Sequence, residues 1–377
     1  MSFAPLYLDI HALQTVPPSC INRDDTGSPK TARFGGVRRA RVSSQAWKKA
    51  IRDEFANILN EDEIGWRTKH LVDMVASRIL RLVPDIETRE ATKMAETTVK
   101  ATGIKLDKNS DTNYLIFVSP RQAEGLAALA VETQKSGVKL DAKKAKSILN
   151  VKERPTLNAV DIALFGRMVA DAPELNVDAA TQVAHAIGVT AAETEFDYFT
   201  AMDDLSPEDS TGAGMIGTVE FLSDTLYRYA TVDICHLCEN LGSADVAAKA
   251  AGAFVEAFAC SMPTGKQNTF ANRTLPDVIM IQFRDTQPVS LVGAFERPVY
   301  PTDKHSISEV ACKRMVKRVA FIDDAFGTEP FKTVMIAGTP AIREQLASLS
   351  YESLNLQEAI ALSQDIVASR LSNRDNS

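Results

Sequence analysis

Nine cationic side chains fall within a thirty-residue stretch: Arg23, Lys30, Arg33, Arg38, Arg39, Arg41, Lys48, Lys49 and Arg52. Only Asp24 and Asp25 oppose them, so nine positive and two negative charges give the segment +7 in a chain whose formal net charge is −7. The imbalance is concentrated, and a local cationic field attracts polyanions even when the whole protein is acidic. Arginine forks and lysine ammoniums neutralise phosphates without reading bases. Gly35-Gly36, with no Cβ, permits close backbone approach to a ligand. Ser43 and Ser44 stand where a helix should begin, and the first amide N–H groups of a helix donate to phosphate oxygens. The length of the segment favours nucleic acid over a small nucleotide. The competing reading is a solvated arginine strand paired with acidic surfaces elsewhere.

A second polar cluster, Gly265-Lys266-Gln267-Asn268-Thr269-Phe270, follows Pro263. Lys266 can meet a phosphate and the amide and hydroxyl groups a sugar or base edge, although a hydrated turn accounts for the same residues. Asp24-Asp25, Asp203-Asp204 and Asp323-Asp324 raise metal-dependent nuclease chemistry. Such chemistry needs oxygen ligands converging on ions about 3.5–4 Å apart, and adjacent carboxylates alone do not supply that convergence. Cys235-His236-Leu237-Cys238 offers part of a zinc site, but Cys20, Cys260 and Cys312 form no second close pair. Packed thiols and a surface histidine are the expectation there, and no thioredoxin-like pattern supports redox exchange. Gly212, Gly214 and Gly217 match a dinucleotide fingerprint literally, yet they follow a polar Pro207-containing run instead of an apolar strand. They read as flexible hinges. No cofactor and no metal is expected.

These residues need a scaffold. Leu6, Leu8 and Ile10 alternate with Tyr7, Asp9 and His11, which predicts a strand with one buried and one partly wet face, ended by Pro17-Pro18. A polar loop follows to Lys30, then a strand over Val37 to Val42. The spacing of Trp47, Ala50, Ile51, Phe55 and Ile58 predicts an amphipathic helix to about Leu59, capped by either serine. From about Glu61 to Lys152 helical stretches alternate with turns, ending in a lysine-rich run from Lys139. A helical run over Leu157 to Ala170, a short helix near Ala179 and a loop from Leu205 to Gly217 come next. Leu222 to Val232 suits strand or core packing. Ala244 to Met262 is an alanine-rich helix and Val278 to Phe283 a strand. Ser306 and Glu309 form a capping box for a helix through Ile322, and Leu356 to Leu371 is helical. The pattern predicts an α+β protein with a small mixed sheet and substantial helical additions.

Composition sets the outer limits. With 377 residues, 45% apolar and 24% charged, the chain should form two or three packed units, and disorder as the dominant state is excluded. No apolar stretch approaches the roughly 20 residues needed to span a bilayer. Five cysteines, and a start without a basic-then-apolar segment, lead to the expectation of a reducing, cytoplasmic setting with no membrane partner.

The motifs have a family likeness. Ile21-Asn22-Arg23-Asp24-Asp25, followed by Phe34-Gly35-Gly36-Val37-Arg38-Arg39-Ala40-Arg41-Val42-Ser43-Ser44-Gln45, resembles the CasC family, the guide-RNA-binding backbone subunits of the type I-E CRISPR surveillance complex, Cascade. The resemblance continues in order through Asp161–Met168, Ala184–Ile187, Asp197–Leu205, Tyr227–Ala230 and Gly265-Lys266-Gln267, and becomes less distinct beyond about residue 285.

This resemblance implies an α+β fold: an RNA-recognition-like (ferredoxin-like) palm over 1–59, 153–199 and 220–377, helical fingers over 60–152 and a protruding thumb loop over 200–219. It implies a non-catalytic subunit that assembles head to tail in multiple copies along CRISPR guide RNA, with other Cascade subunits, and presents the guide for pairing with complementary target DNA. The site residues it implies are Asn22, Arg23, Arg38, Arg39, Arg41, Ser43, Ser44, Gln45, Lys48, Lys49, Arg52, Arg167, Met168, Phe199, Thr200, Lys266 and Gln267. Met168 would press against displaced bases, whereas on the chain alone it fills a core gap. Arg167 would contact phosphate or stabilise its local turn, and Phe199 would touch the guide or pack internally. Related type III backbone subunits cleave RNA through an acidic loop residue, so Asp24 or Asp25 carries the enzymatic alternative. A generic RNA-binding module is the other.

Overall fold

The computed structural model describes residues 5–201, 215–346 and 349–375. Its organising element is β1 (Tyr7–Ser19), which pairs antiparallel with β9 (Met215–Asp233) along one edge and β10 (Val278–Arg284) along the other. Beyond β10 come β11 (Lys332–Ala337) and the short parallel β12 (Glu352–Ser353). Beyond β9 come β7 (Ala186–Gly188), β3 (Val37–Val42) and β2 (Thr31–Phe34). β6 (Thr181–Val183) and β8 (Glu195–Ala201) also pair with β9, giving a mixed sheet of ten strands. It is larger than the small sheet that the sequence predicts.

Both faces of this sheet are covered. Leu8, Ile10 and Ala12 pack under α1 (Ser44–Ile58), α6 (Val160–Phe165), α7 (Ile234–Leu241), α8 (Ala244–Cys260) and α12 (Leu356–Asp375). Leu13, Tyr227 and Met280 pack on the opposite face beneath the 289–299 segment and α10 (Ile307–Phe326), with α11 (Pro340–Gln345) at its margin. The four-residue α9 (Gln267–Phe270) follows Lys266. Between α1 and α6 the chain builds α2 (Leu71–Leu82), α3 (Thr88–Ala101), α4 (Pro120–Ser136) and α5 (Ala142–Leu149). These helices enclose their own core of Val75, Ile79, Val99, Leu126 and Ile148. A two-stranded sheet, β4 (Trp66–Thr68) and β5 (Ile116–Val118), sits at the base of this insertion.

Several local expectations change for identifiable reasons. β1 runs through Pro17-Pro18 because β10 pairs only with Tyr7–Leu13 and the β9 register shifts between Val16 and Ser19, so the missing proline N–H groups break no ladder bond there. The expected wet face carrying Asp9 and His11 is fully buried. The helix expected over Leu157–Ala170 is only Val160–Phe165, because Gly166 turns the chain at φ 80° and a Cβ there would lie 2.8 Å from the Val177 carbonyl oxygen. Near Ala179 the chain forms β6 instead of a helix, filling the edge of β9.

The buried Asp9 dictates its surroundings. It accepts the Val289 N–H at 3.0 Å and the Tyr229 hydroxyl at 3.1 Å, and pairs with Arg284 at 3.3 Å. Arg284, fully buried, also binds Asp323 at 3.0 Å, Gln282 Oε1 at 2.8 Å and the Thr328 carbonyl. Burial keeps His11 neutral, with its pKa lowered to about 3, beside the Tyr227 hydroxyl at 2.9 Å. Arg284→Gln would leave two inward-facing carboxylates without their cation, a loss on the order of 3–5 kcal/mol. Urea denaturation at neutral pH measures it, and a loss under about 1 kcal/mol, the size of an exposed pair, contradicts the role given to Arg284.

Candidate nucleic-acid interface

The local geometry begins with a hairpin. Gly35 and Gly36 adopt φ 60° and 82° and form the tight turn between β2 and β3, a conformation that favours glycine. The close approach at Gly35 is internal: a Cβ there would fall 1.5 Å from the Glu296 carbonyl oxygen. The expectation that this pair makes room for a ligand is corrected at Gly35, whose space is taken by the protein's own backbone. Arg39 explains the contact. Its side chain is fully buried and donates to six carbonyls: Phe34 and Thr190 at 3.3 Å, Gly188 at 3.1 Å, Val189 and Phe295 at 2.8 Å, and Glu296 at 3.0 Å. Arg39 therefore rivets the hairpin to the sheet, which corrects its expected place among the phosphate contacts.

The hairpin displays other charges outward. Arg33 and Arg38 are exposed and directly opposite each other across β2 and β3. Like charges in register destabilise a strand pair, and a polyanion lying across them would relieve that repulsion. Arg41, half-buried, donates from Nε to the Thr31 carbonyl at 3.3 Å and lies 3.2 Å from His185 Nδ1. Burial, then Arg41 and Lys30, hold the His185 pKa below its ordinary value.

The loop before the hairpin is tied to the start of α1. Asn22 Oδ1 accepts the Ser43 N–H at 2.9 Å, the Asn22 carbonyl accepts the Lys30 N–H at 2.9 Å, and the Lys30 carbonyl accepts the Arg41 N–H at 2.9 Å. Ser43 is the cap, its hydroxyl accepting from Ala46 N at 3.4 Å. Ser44 and the exposed Gln45 begin the helix, where backbone amides lack intrahelical carbonyl partners. Asn22 and Ser43 thus position this end, while Ser44 and Gln45 present it.

Lys266 and Gln267 arrive from the far end of the chain. Gly265 lies against the Cys20-Ile21 backbone so closely that a Cβ would be 2.3 Å from the Ile21 carbonyl oxygen. Lys266 then takes a left-handed φ of 49°. Arg23 and Lys266 both bear on the Cys20 thiol, opposing the upward push of burial on its pKa. A cleft of about 550 Å³ is lined by Ile21 to Gly27 and Gly265. Phe221, at the base of the β8–β9 hairpin, faces Phe270 with ring centroids 5.9 Å apart. Four separate stretches of sequence therefore meet on one surface. Among the described residues, no ion pair holds Arg23, Arg33, Arg38, Lys48 or Lys266, while Lys49 makes an exposed pair with Asp53 at 2.6 Å.

Arg52 and Arg167 are committed inside the protein. Arg52 Nε binds the fully buried Asp161 at 3.0 Å, and its guanidinium stacks 4.4 Å from the Phe117 ring centroid. Arg167 donates to the Leu175 carbonyl at 2.7 and 2.9 Å, the Leu149 carbonyl at 2.5 Å and Gln122 Oε1 at 3.2 Å. Of the two expected roles for Arg167, the buried geometry is that of the turn stabiliser, and its phosphate role is corrected accordingly. The next residue, Met168, is 82% exposed beside Tyr114 and Leu115, so it does not fill a core gap.

β8 is exposed along its whole length and pairs with β9 from Glu195↔Phe221 to Ala201↔Met215. Phe199 lies over Gly217, where a Cβ would be 2.4 Å from the ring, and Thr200 is exposed opposite Ile216. Gly217 is thus a strand residue that admits an aromatic ring, not a hinge. Gly212, Gly214, Asp203 and Asp204 lie outside the described residues.

In the other two acidic pairs, Asp24 and Asp323 have structural employment. Asp24 Oδ1 accepts from the Thr26 hydroxyl at 2.7 Å, Thr26 N at 3.0 Å and Ser28 N at 3.1 Å, bonds that hold its pKa low. Asp323 binds Arg284. Among the described residues, no group of three or more His, Cys, Asp or Glu side chains is arranged to hold a metal ion, and no helix is long and apolar enough to cross a membrane. His236 faces Glu239 at 3.2 Å and the Asp178 carbonyl at 3.2 Å.

Two solved structures share this fold across nearly their whole length. A chain of a "CRISPR RNA-guided surveillance complex, pre-nicking" is 32% identical, with a TM-score of 0.80 over 97% of this chain and 100% of that one. A chain of a "CRISPR RNA-guided surveillance complex" is 28% identical, with a TM-score of 0.70 over 96% and 99%. No curated protein matches. The fold is therefore that of chains found in such complexes. A family model described as CT1975-like protein matches residues 8–361, and this chain belongs to that family, in agreement with the CasC resemblance of its motifs.

Asp224 lies buried beside the crevice formed by Asn22, Lys30 and Arg41. Thr190 donates to its Oδ1 through N at 3.2 Å and Oγ1 at 2.8 Å, while Oδ2 has no hydrogen-bond partner among the described residues. Burial pushes its pKa from 3.8 up to about 6, against the Thr190 bonds and Arg39. The folded state therefore holds a proton that the unfolded chain has released, so the contribution is complete below about pH 4 and is lost as pH rises through about 6. Asp224→Asn is expected to remove that pH dependence and exceed the wild type in stability at pH above the folded value by about 1–3 kcal/mol. Urea titrations on both sides of the window measure it, and parallel pH profiles contradict it.

Proposed function

We propose that this chain is the non-catalytic backbone subunit of a type I-E Cascade complex. It binds CRISPR guide RNA and assembles head to tail with further copies and other Cascade subunits. The guide is thereby presented to complementary target DNA in the cytoplasm. The observation that carries the reading is the set of Arg23, Arg33, Arg38, Lys48 and Lys266, which have no ion pair among the described residues, with Lys49 in an exposed pair beside them, in a chain that matches surveillance-complex chains over 96–97% of its length. Arg23, Arg33, Arg38, Lys48, Lys49 and Lys266 neutralise phosphates, while the α1 N–H groups at Ser44 and Gln45 donate to their oxygens. Arg39, Arg41, Asn22 and Ser43 hold that surface in place.

In this reading the palm comprises 1–59, 153–199 and 220–377, the fingers 60–152 and the thumb 200–219. The paired arms from Glu195 and to Phe221 form the thumb's stalk, with Phe199 and Thr200 beside the guide. Met168 presents an exposed apolar side chain against displaced bases. Phosphate and backbone contacts accommodate any guide sequence, so base pairing supplies the specificity.

Purification from a host expressing a CRISPR guide array and the companion subunits tests this, with sequencing of the retained RNA and measurement of particle mass. A uniform-length guide in a multi-copy particle is expected. A folded monomer without RNA overturns the reading, and heterogeneous host RNA transfers it to a generic RNA-binding module. Arg23→Glu, Lys49→Glu and Lys266→Glu are each expected to weaken guide binding about tenfold irrespective of guide sequence. Cation-dependent RNA cleavage abolished by Asp24→Asn or Asp25→Asn would favour a nuclease instead.

A further inference from the structure

The seam between α1 and β4 carries charges that the motif residues do not account for. Asp161, at the start of α6, accepts the Gly65 N–H at 2.8 Å and the Arg52 Nε–H at 3.0 Å. Gly65 leaves no room for a side chain: a Cβ would lie 2.7 Å from the Phe117 ring and 2.9 Å from Ile162. Immediately after this tight contact the chain exposes Trp66, 58% accessible, and Arg67. The Arg67 guanidinium lies 4.8 Å from the Phe117 centroid, the same ring that carries Arg52. One turn before Arg52, Lys48 Nζ stands 5.8 Å from the Phe165 centroid.

Arg52 and Arg67 both feel the Asp161 carboxylate, and Arg52 takes it, while Lys48 feels the charge of Arg67. Among the described residues, neither Lys48 nor Arg67 has an ion pair or a side-chain hydrogen bond. Burial, and then the charge of Arg67, hold the Lys48 ammonium below its ordinary pKa. Burial, and then Arg52, do the same to Arg67, with Asp161 opposing. Partly desolvated like charges without a counter-ion are unfavourable, and an anion seated between them removes that cost. The indole of Trp66 adds a planar surface of the kind on which single-stranded bases stack. Phe165, beneath Lys48, leads within three residues to the exposed Met168.

We propose that Lys48 and Arg67 clamp one phosphodiester group of the guide RNA across this seam, with Trp66 stacking on an adjacent base. The inference rests on the guide-binding reading above. It makes the base of the helical insertion part of the RNA-binding surface and gives the Asp161–Arg52 pair a positioning role: Arg52 occupies Asp161, which leaves Arg67 for the ligand.

The test is a titration of the full-length chain with a fluorescein-labelled single-stranded guide RNA between about 50 and 200 mM salt. Arg67→Gln is expected to weaken binding about tenfold. It should also make the log–log salt slope shallower by about 0.7, the increment for one single-strand phosphate. Arg67→Lys should restore the slope, which loss of packing alone would not do, and Trp66→Ala should lower affinity about tenfold without changing the slope. If the wild type binds and Arg67→Gln keeps its affinity and slope, the clamp is wrong. If Arg67→Gln binds RNA normally but no longer assembles with other copies, the anion is a neighbour's carboxylate and the proposal fails. A wild-type chain that binds no guide overturns the guide-binding reading and the clamp with it.

Discussion

A guanidinium carries five N–H donors and a charge it cannot shed, so burying one fixes the acceptors around it. Four arginines impose that constraint here. Arg39 gathers six carbonyls from the hairpin, the β7 end and the 295–296 turn. Arg228 reaches Gln14 at 2.7 Å and the Phe258 carbonyl at 2.6 Å, and stacks 3.7 Å from the Trp47 ring centroid, which fixes α1 against the sheet and α8. Arg284 joins Asp9 to Asp323, and Arg167 joins the Met168 turn to the helical insertion. Breaking any of these leaves several buried carbonyls or carboxylates unpaired at once.

The interface depends on this hidden set. Arg39 ties the hairpin to the 188–190 and 295–296 carbonyls, and Arg228 and Asn22 tie the start of α1 to the sheet and the preceding loop. With those positions set, exposed cations from Arg23, the hairpin, α1 and the Lys266 turn occupy one surface. The amino acid is the same in both sets; its surroundings decide whether it spends its charge on the fold or offers it to a ligand. Asp224 follows the same logic in reverse, a carboxyl pressed toward its neutral form by burial at the margin of a cationic surface.

Much of this was legible in the sequence. The period of Trp47, Ala50, Ile51 and Phe55 defines the buried stripe of α1, and the Val37–Val42 strand agrees with its structural bounds. Ser306 caps α10 as its spacing suggests. The division of the arginines was not legible, because burial of Arg39 and Arg167 depends on carbonyls supplied from distant segments. β2, β4 and β5 were missed because strands of three or four residues carry too little alternation to register. The wet face assigned to Asp9 and His11 failed for a related reason: the segment that covers it lies some 280 residues away. Trp66 and Arg67 left no motif; only the Gly65 contact with Phe117 and Ile162 reveals their setting.

The central claim is that RNA crosses the surface where four distant stretches of this chain converge. Ultraviolet cross-linking of a bound guide, followed by mass spectrometry of the adducted peptides, measures that path directly. The expected adducts fall in 21–25, 33–49 and 265–270, with the β8 arm as a further contact. Adducts confined to the lysine-rich 139–152 run, with none around the start of α1, would contradict it.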